Sequence, residues 1–260
     1  LVMIEKIKFK QDKPIIFITN DDSVHSKGIA ELINSVAHLG QVVVVAPDVV
    51  RSGSSSAITH GVGLELKLLC SQDDLYIFSC SGTPVDCVKL AFFTLFDKQL
   101  PHIVLSGINH GSNASVNSLY SATVGAAMEG CVNNISSIAF SLCDHADDAD
   151  FSNTLPHVVA LVEKVLKEPL PKGTFLNVNF PKGVVQGLKF VRQADARWSE
   201  EYDKTFEKGT TQYWLAGYFD NREPNAVDTD EWALSSGLGS VVPVKIDMTD
   251  YDWLENNCLK

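Results

Sequence analysis

Apolar positions along this chain follow two alternating rhythms. Ile15-Ile16-Phe17-Ile18 and Val42-Val43-Val44-Val45 are unbroken β-branched or aromatic runs, the pattern of strands buried on both faces. Between them, Ile29, Leu32, Ile33 and Val36 recur at the i, i+3, i+4, i+7 spacing of one helix face, with Gly40 as the stop. The same alternation predicts strands over 64–69, 75–80, 102–106, 137–142 and 174–180. Helices are predicted from Pro84, over 120–129 and over 155–166. Thr83 is the expected N-cap of the first of these, ahead of proline, with Val85, Val88, Phe92 and Leu95 on its inner face. Strands alternating with helices predict an α/β fold: a mostly parallel sheet with helices on both faces. After about Lys189 the rhythm breaks. Residues 190–230 carry Trp198, Tyr202, Phe206, Tyr213, Trp214, Tyr218 and Phe219 with no clear period. A last strand is expected over 241–246 and a short helix or arm over 251–254. The reading is thus a core over 1–189 and, within the same domain, an extension over 190–260 whose exposed aromatics suit subunit contacts.

Composition narrows the chemistry. At 260 residues and 45% hydrophobic, the chain can bury one large core. A formal net charge of -11 leaves no basic face for a nucleic-acid backbone. The 6 Cys stand at 70, 80, 87, 131, 143 and 258 without a CxxC pair, which suits a reduced chain better than a disulfide framework. The first 13 residues lack the apolar stretch of a signal peptide, and no segment has membrane-spanning length. The expectation is a cytoplasmic protein that contacts neither membrane nor nucleic-acid polymer.

The first strand ends in Thr19-Asn20-Asp21-Asp22-Ser23. Two adjacent anions repel each other, and a hard divalent cation is the simplest group to sit between them. The plainer alternative is a helix N-cap with a turn residue. In a parallel sheet, loops at the C-terminal strand ends converge. That brings the Asp pair toward Arg51-Ser52-Gly53-Ser54-Ser55-Ser56 and Ser106-Gly107-Ile108-Asn109-His110-Gly111. Carboxylate, hydroxyl and carboxamide oxygens suit Mg²⁺, Mn²⁺ or Ca²⁺ and not a soft metal. Neither a G-x-x-x-x-G-K-[ST] phosphate loop nor a G-x-G-x-x-G fingerprint is present. His25 and His110 fall near the predicted site, where a lone loop histidine is more often structural than basic.

These segments resemble the ordered motifs of the SurE survival-protein nucleotidases. Thr19-Asn20-Asp21-Asp22-Ser23-Val24-His25-Ser26-Lys27-Gly28-Ile29 is similar to the opening motif, and Ala46-Pro47-Asp48 with Arg51-Ser52-Gly53 to the second. Ser81-Gly82-Thr83-Pro84-Val85-Asp86, Ser106-Gly107-Ile108-Asn109-His110-Gly111-Ser112-Asn113 and Tyr120-Ser121-Ala122-Thr123-Val124-Gly125 follow in order. The resemblance implies a Rossmann-like core and hydrolysis of nucleoside 5′- and 3′-monophosphates by metal-activated water. One divalent cation per site is implied, Mg²⁺ or Mn²⁺ with Ca²⁺ as a crystal substitute, held by Asp21, Asp22, Ser52 and Asn109. A homodimer or homotetramer built through the C-terminal extension is implied as well. Asn20, Gly107, Gly111, Ser121 and Thr123 are the expected phosphate or substrate contacts. His110 is the candidate acid for the leaving group, with a second water as its equal.

Three departures from the family pattern stand out. Ser23 replaces a glycine, at a steric cost if its φ is positive. Ala122 replaces another glycine near the phosphate approach, and Ser115-Val116-Asn117 replaces a leucine-glycine loop. The same residues admit two rival readings. A phospho-acceptor receiver domain also places an acidic pair after its first strand, but here the loop after 102–106 offers Asn109 and no carboxylate. A non-catalytic nucleotide-binding protein would treat Ser23 and Ala122 as marks of a decayed site.

Overall fold

Strand β1 (Ile15–Thr19) is wholly buried, and its side chains alternate between two separate cores. The computed structural model that shows this describes residues 5–96 and 99–257. Residues 1–4 of the charged N-terminal stretch, and Cys258, lie outside the described residues. Following β1 come α1 (Lys27–Val36), β2 (Gln41–Pro47), β3 (Leu66–Gln72), β4 (Leu75–Cys80), α2 (Pro84–Thr94) and β5 (Ile103–His110). Then come α3 (Ala122–Val132), β6 (Ser136–Leu142), α4 (Leu155–Lys167), β7 (Thr174–Phe180) and β8 (Leu188–Phe190). The chain closes with β9 (Ala196–Ser199), β10 (Tyr202–Glu207), β11 (Thr210–Leu215), β12 (Tyr218–Asn221), α5 (Asp230–Ser235), β13 (Gly239–Lys245) and α6 (Tyr251–Asn256).

Among the described residues nine strands form the main sheet in the order β3-β4-β2-β1-β5-β6-β7-β13-β8, with antiparallel pairs only at β3–β4 and β7–β13. Ile16 and Ile18 pack with Ile29 and Leu32 of α1 and Val158 and Val162 of α4. On the other face, Ile15 and Phe17 pack with Cys87, Val88 and Ala91 of α2. Each such side chain contributes about 2 kcal/mol on leaving water. The expected capping box opens α2: the Thr83 hydroxyl accepts from Asp86 N–H, and the Asp86 carboxylate accepts from Thr83 N–H. Helix α3 uses small residues because it presses on the sheet. A Cβ at Gly130 would come within 2.5 Å of Ser137 Oγ and 2.8 Å of Val104.

Strand β1 lies between β2 and β5, so the connections run outward from it in both directions. Its C-terminal end, beside that of β5 with Thr19 opposite Ser106, is therefore the switch point where open α/β sheets bind ligands.

The structure differs from the periodicity in three places. Strand β5 continues to His110, because pairing with β6 resumes after an irregularity between Ser106 and Asn109. Strand β3 is shifted along the chain, starting two residues and ending three residues later than expected, and its weak outer pattern reflects an edge strand with exposed faces. The aperiodic 190–230 segment contains two antiparallel pairs, β10–β11 and β9–β12, with every β10 and β11 residue exposed. With neither face of that hairpin buried, nothing imposes alternation on its sequence. Strand β13 then returns to the main sheet beside β7, so the extension is an excursion from the core and ends before it. No helix among the described residues is long and apolar enough to cross a membrane.

Candidate functional site

At the switch point a cavity of about 830 Å³ opens, lined at one side by Asp21, Ser52, Asn109, Gly111 and Ser121. Three loops distant in sequence meet there, each held by backbone hydrogen bonds. Arg51 N–H donates to Asp21 O at 2.7 Å, setting Ser52 beside the Asp pair. Val24 N–H donates to Pro47 O at 2.8 Å, tying the loop after β1 to the end of β2. From the third loop, His110 N–H donates to Asp22 Oδ2 at 3.0 Å.

Asp21 is buried, and its Oδ1 accepts from the Thr123 hydroxyl at 2.5 Å. Burial, and next the charge of Asp22, push its carboxyl up to about 7, against the pull of Thr123. Asp22 is half-buried and is likewise raised by burial, with His110 N–H opposing. Among the described residues no lysine or arginine pairs with either carboxylate. Asn109 donates its Nδ2 to Gly111 O at 2.9 Å, which leaves Oδ1 as a spare acceptor. Two uncompensated carboxylates, an amide oxygen and the Ser52 hydroxyl form a hard-oxygen donor set, and it fits a divalent cation. No group of three or more His, Cys, Asp or Glu is placed to hold an ion among the described residues.

Other expected site residues sit elsewhere. Asn20 is fully buried and off the cavity wall, its Nδ2 donating to Ser23 O and Ser26 Oγ at 2.8 Å each. It braces the turn that presents the Asp pair. Thr123 is also fully buried, its hydroxyl committed to Asp21 and not to the cavity. Gly107 does not line the cavity; at φ +131 a Cβ there would meet Phe140 O at 2.3 Å. Gly111 does line it, but its N–H donates to Leu142 O at 2.8 Å. Ser121 caps α3 by accepting from Val124 N–H at 3.1 Å, which leaves its O–H free to donate into the cavity. Ala122 is the buried first residue of α3. Ser23 adopts φ +80, the left-handed region that its family glycine would occupy freely.

The two histidines at the wall differ. His110 Nδ1 bonds to Ala146 O at 2.8 Å, Nε2 would lie 3.4 Å from a Cβ at Gly28, and the ring meets Phe151 edge-on at 5.1 Å. That ring is wedged between α1 and the acidic loop. His145 was missed by sequence reasoning because it sits in an acidic loop with no motif; its ring covers Gly111, 2.3 Å from where a Cβ would stand. His25 is exposed and absent from the wall.

The extension also contributes to the cavity lining: Trp198, Tyr202, Leu215, Phe219 and Glu231. The departing loop Ser115-Val116-Asn117 anchors that wall. Ser115, at φ +53, donates its N–H to Asp230 Oδ2 at 2.7 Å and its hydroxyl to Ala194 O at 2.9 Å. Trp198 Nε1 donates to Asn117 Oδ1 at 2.7 Å. Glu231 is half-buried, and burial followed by the charge of Asp230 lifts its carboxyl to about 7.

Comparison with known proteins identifies the family. The family model described as Survival protein SurE matches residues 16–200. A Phocaeicola vulgatus protein named 5′-nucleotidase SurE is 46% identical over 244 residues, covering 93% of this chain and 95% of the relative. A Cytophaga hutchinsonii protein of the same name is 45% identical over 246 residues, covering 93% and 95%. The crystal structure of the SurE protein from Aquifex aeolicus superposes with a TM-score of 0.81 at 36% identity, covering 94% of this chain and 98% of that one.

Proposed function

The chain belongs to the SurE survival-protein family, and we infer from this that it is a 5′-nucleotidase, hydrolysing nucleoside 5′-monophosphates, and their 3′ isomers, to nucleoside and phosphate. The observation that carries the site assignment is the meeting of Asp21, Ser52 and Asn109 on one cavity. Asp21, Asp22, Ser52 and Asn109 would hold one divalent cation, Mg²⁺ or Mn²⁺. When bound, such an ion neutralises phosphate charge and acidifies water.

The protein's own groups supply the rest. Thr123 fixes the Asp21 carboxylate in place. The Ser121 O–H, lining the cavity at the start of α3, would meet an incoming phosphate where a helix N-terminus favours an anion. Attack on phosphorus in line with the nucleoside oxygen breaks the P–O bond, and the leaving oxygen takes a proton. His145, covering Gly111 at the wall, is better placed to give that proton than the wedged His110. The extension closes the cavity over the nucleoside. Its exposed hairpin, with Phe206, Tyr213 and Trp214 in solvent, carries the contacts of a cytoplasmic homodimer or homotetramer.

Phosphate release from a panel of nucleoside monophosphates, with Mg²⁺, Mn²⁺ or chelator added in turn, tests this reading. Release that needs a cation is expected. Absence of release from every nucleotide under all conditions would overturn it.

A further inference from the structure

The hydrolytic residues leave one feature of the cavity without a task. Glu231 lines it, half-buried, and among the described residues no hydrogen bond or cation reaches its carboxylate. Its neighbour Asp230 is fully committed: Oδ1 accepts from Ala194 N–H and Glu231 N–H, and Oδ2 from Ser115 N–H. Glu231 therefore has only the cavity from which to draw donors. Burying an unpaired carboxylate is costly, and a ligand that brings donors offsets the cost.

Trp198 lines the same cavity, an indole whose plane is held from two sides. Asn117 takes its Nε1–H at 2.7 Å, and Phe219 meets it edge-on with ring centroids 5.8 Å apart. A ring held in this way offers a face to a planar base, and base–aromatic stacking does not depend on base identity. Selection then falls to Glu231, which lines the same cavity. A carboxylate presents two coplanar acceptors, and its complement is a pair of parallel N–H donors on adjacent ring positions. Guanine offers that pair at N1 and the exocyclic amine. Adenine places an acceptor at N1 beside its amine, hypoxanthine lacks the amine, and cytosine pairs its amine with an acceptor.

We propose that Glu231 is the specificity-determining residue of this enzyme, reading the donor–donor edge of a guanine base stacked on Trp198. The assignment rests on the 5′-nucleotidase reading and adds its preferred substrate class. Asn117 and Ser115, from the loop that departs from the family pattern, are then positioning residues that hold the reading wall against the core.

The test measures kcat/KM of the full chain with Mg²⁺ for GMP, IMP, AMP and the base-free ribose 5-phosphate. Wild type is expected to prefer GMP over both other nucleotides. Glutamine pairs with an acceptor–donor edge as adenine presents it, so Glu231→Gln is expected to lower the GMP:AMP ratio by roughly 10- to 100-fold. Trp198→Ala is expected to raise KM for all three nucleotides relative to ribose 5-phosphate. An unchanged GMP:AMP ratio in Glu231→Gln overturns the proposal, and so does an equal fall for GMP and ribose 5-phosphate. Hydrolysis of all three nucleotides at equal rates by wild type removes only this assignment. Hydrolysis of none removes the nucleotidase reading itself.

Discussion

The Thr123 hydroxyl donates to Asp21 Oδ1 at 2.5 Å, across 102 positions of sequence. This bond ties the start of α3 to the end of β1 and holds a buried carboxylate in one orientation. Thr123→Val keeps the shape and removes the donor. Leaving the carboxylate oxygen unsatisfied is expected to cost about 1–3 kcal/mol, read as a lower urea midpoint. Nucleotide turnover should fall by at least roughly 10-fold as Asp21 loses its fixed position. Unchanged turnover would show that Asp21 needs no such support.

A second expectation concerns pH. The Asp21 carboxyl is raised from 3.8 to about 7 in the folded chain, so folding binds its proton more tightly. Its contribution to stability is fully present below about 3.8 and is lost as pH rises through about 7. The shift corresponds to a contribution on the order of 4 kcal/mol. With chelator present, Tm should therefore fall between pH 5 and pH 8, and Mg²⁺ or Mn²⁺ should restore more of it at pH 8. Asp21→Asn should flatten this slope, hold or raise the chelator-treated Tm, and abolish hydrolysis. Wild-type turnover by Asp21→Asn would reject the site.

Ser23 offers a test of strain without chemistry. At φ +80 it occupies the region that glycine enters freely. Ser23→Gly is expected to stabilise the chain by about 1 kcal/mol in urea unfolding, with the cation requirement unchanged.

The two histidines should separate in kinetics. His145→Ala is expected to lower kcat by roughly 10- to 100-fold with little change in Tm. His110→Ala removes packing against Phe151 and the bond to Ala146 O, so its main effect should be on Tm. The reverse outcome would restore His110 as the proton donor.

The extension calls for a cut inside the hairpin and not at its base. Removing everything after 189 would strip β13 from β7 and expose the core sheet. Replacing residues 203–214 with a short Gly-Ser turn instead leaves β13 in place while removing Phe206, Tyr213 and Trp214. A smaller sedimentation coefficient with a retained Tm is the expected result; unchanged sedimentation would remove the hairpin from the subunit interface.

Local chemistry was enough to read the strand and helix order, because the central strands β1 and β2 are buried on both faces and read as near-continuous apolar runs. That Asp21, Ser52 and Asn109 would share one cavity was legible for a related reason: adjacent charges at a strand end have few stable uses, and loops at the strand ends converge. Other features depend on chain segments that meet only after folding. Thr123 turned from a phosphate contact into a brace because α3 docks its first turn on Asp21. His145 gained its place, and His110 lost a free ring, through packing of the acidic loop against Gly111 and α1. Strand β13 pairs with β7, and Trp198, Phe219 and Glu231 reach the cavity, through long-range contacts that leave no period in the sequence. Periodicity records which face of an element is buried; it carries no information on what another element brings to that face.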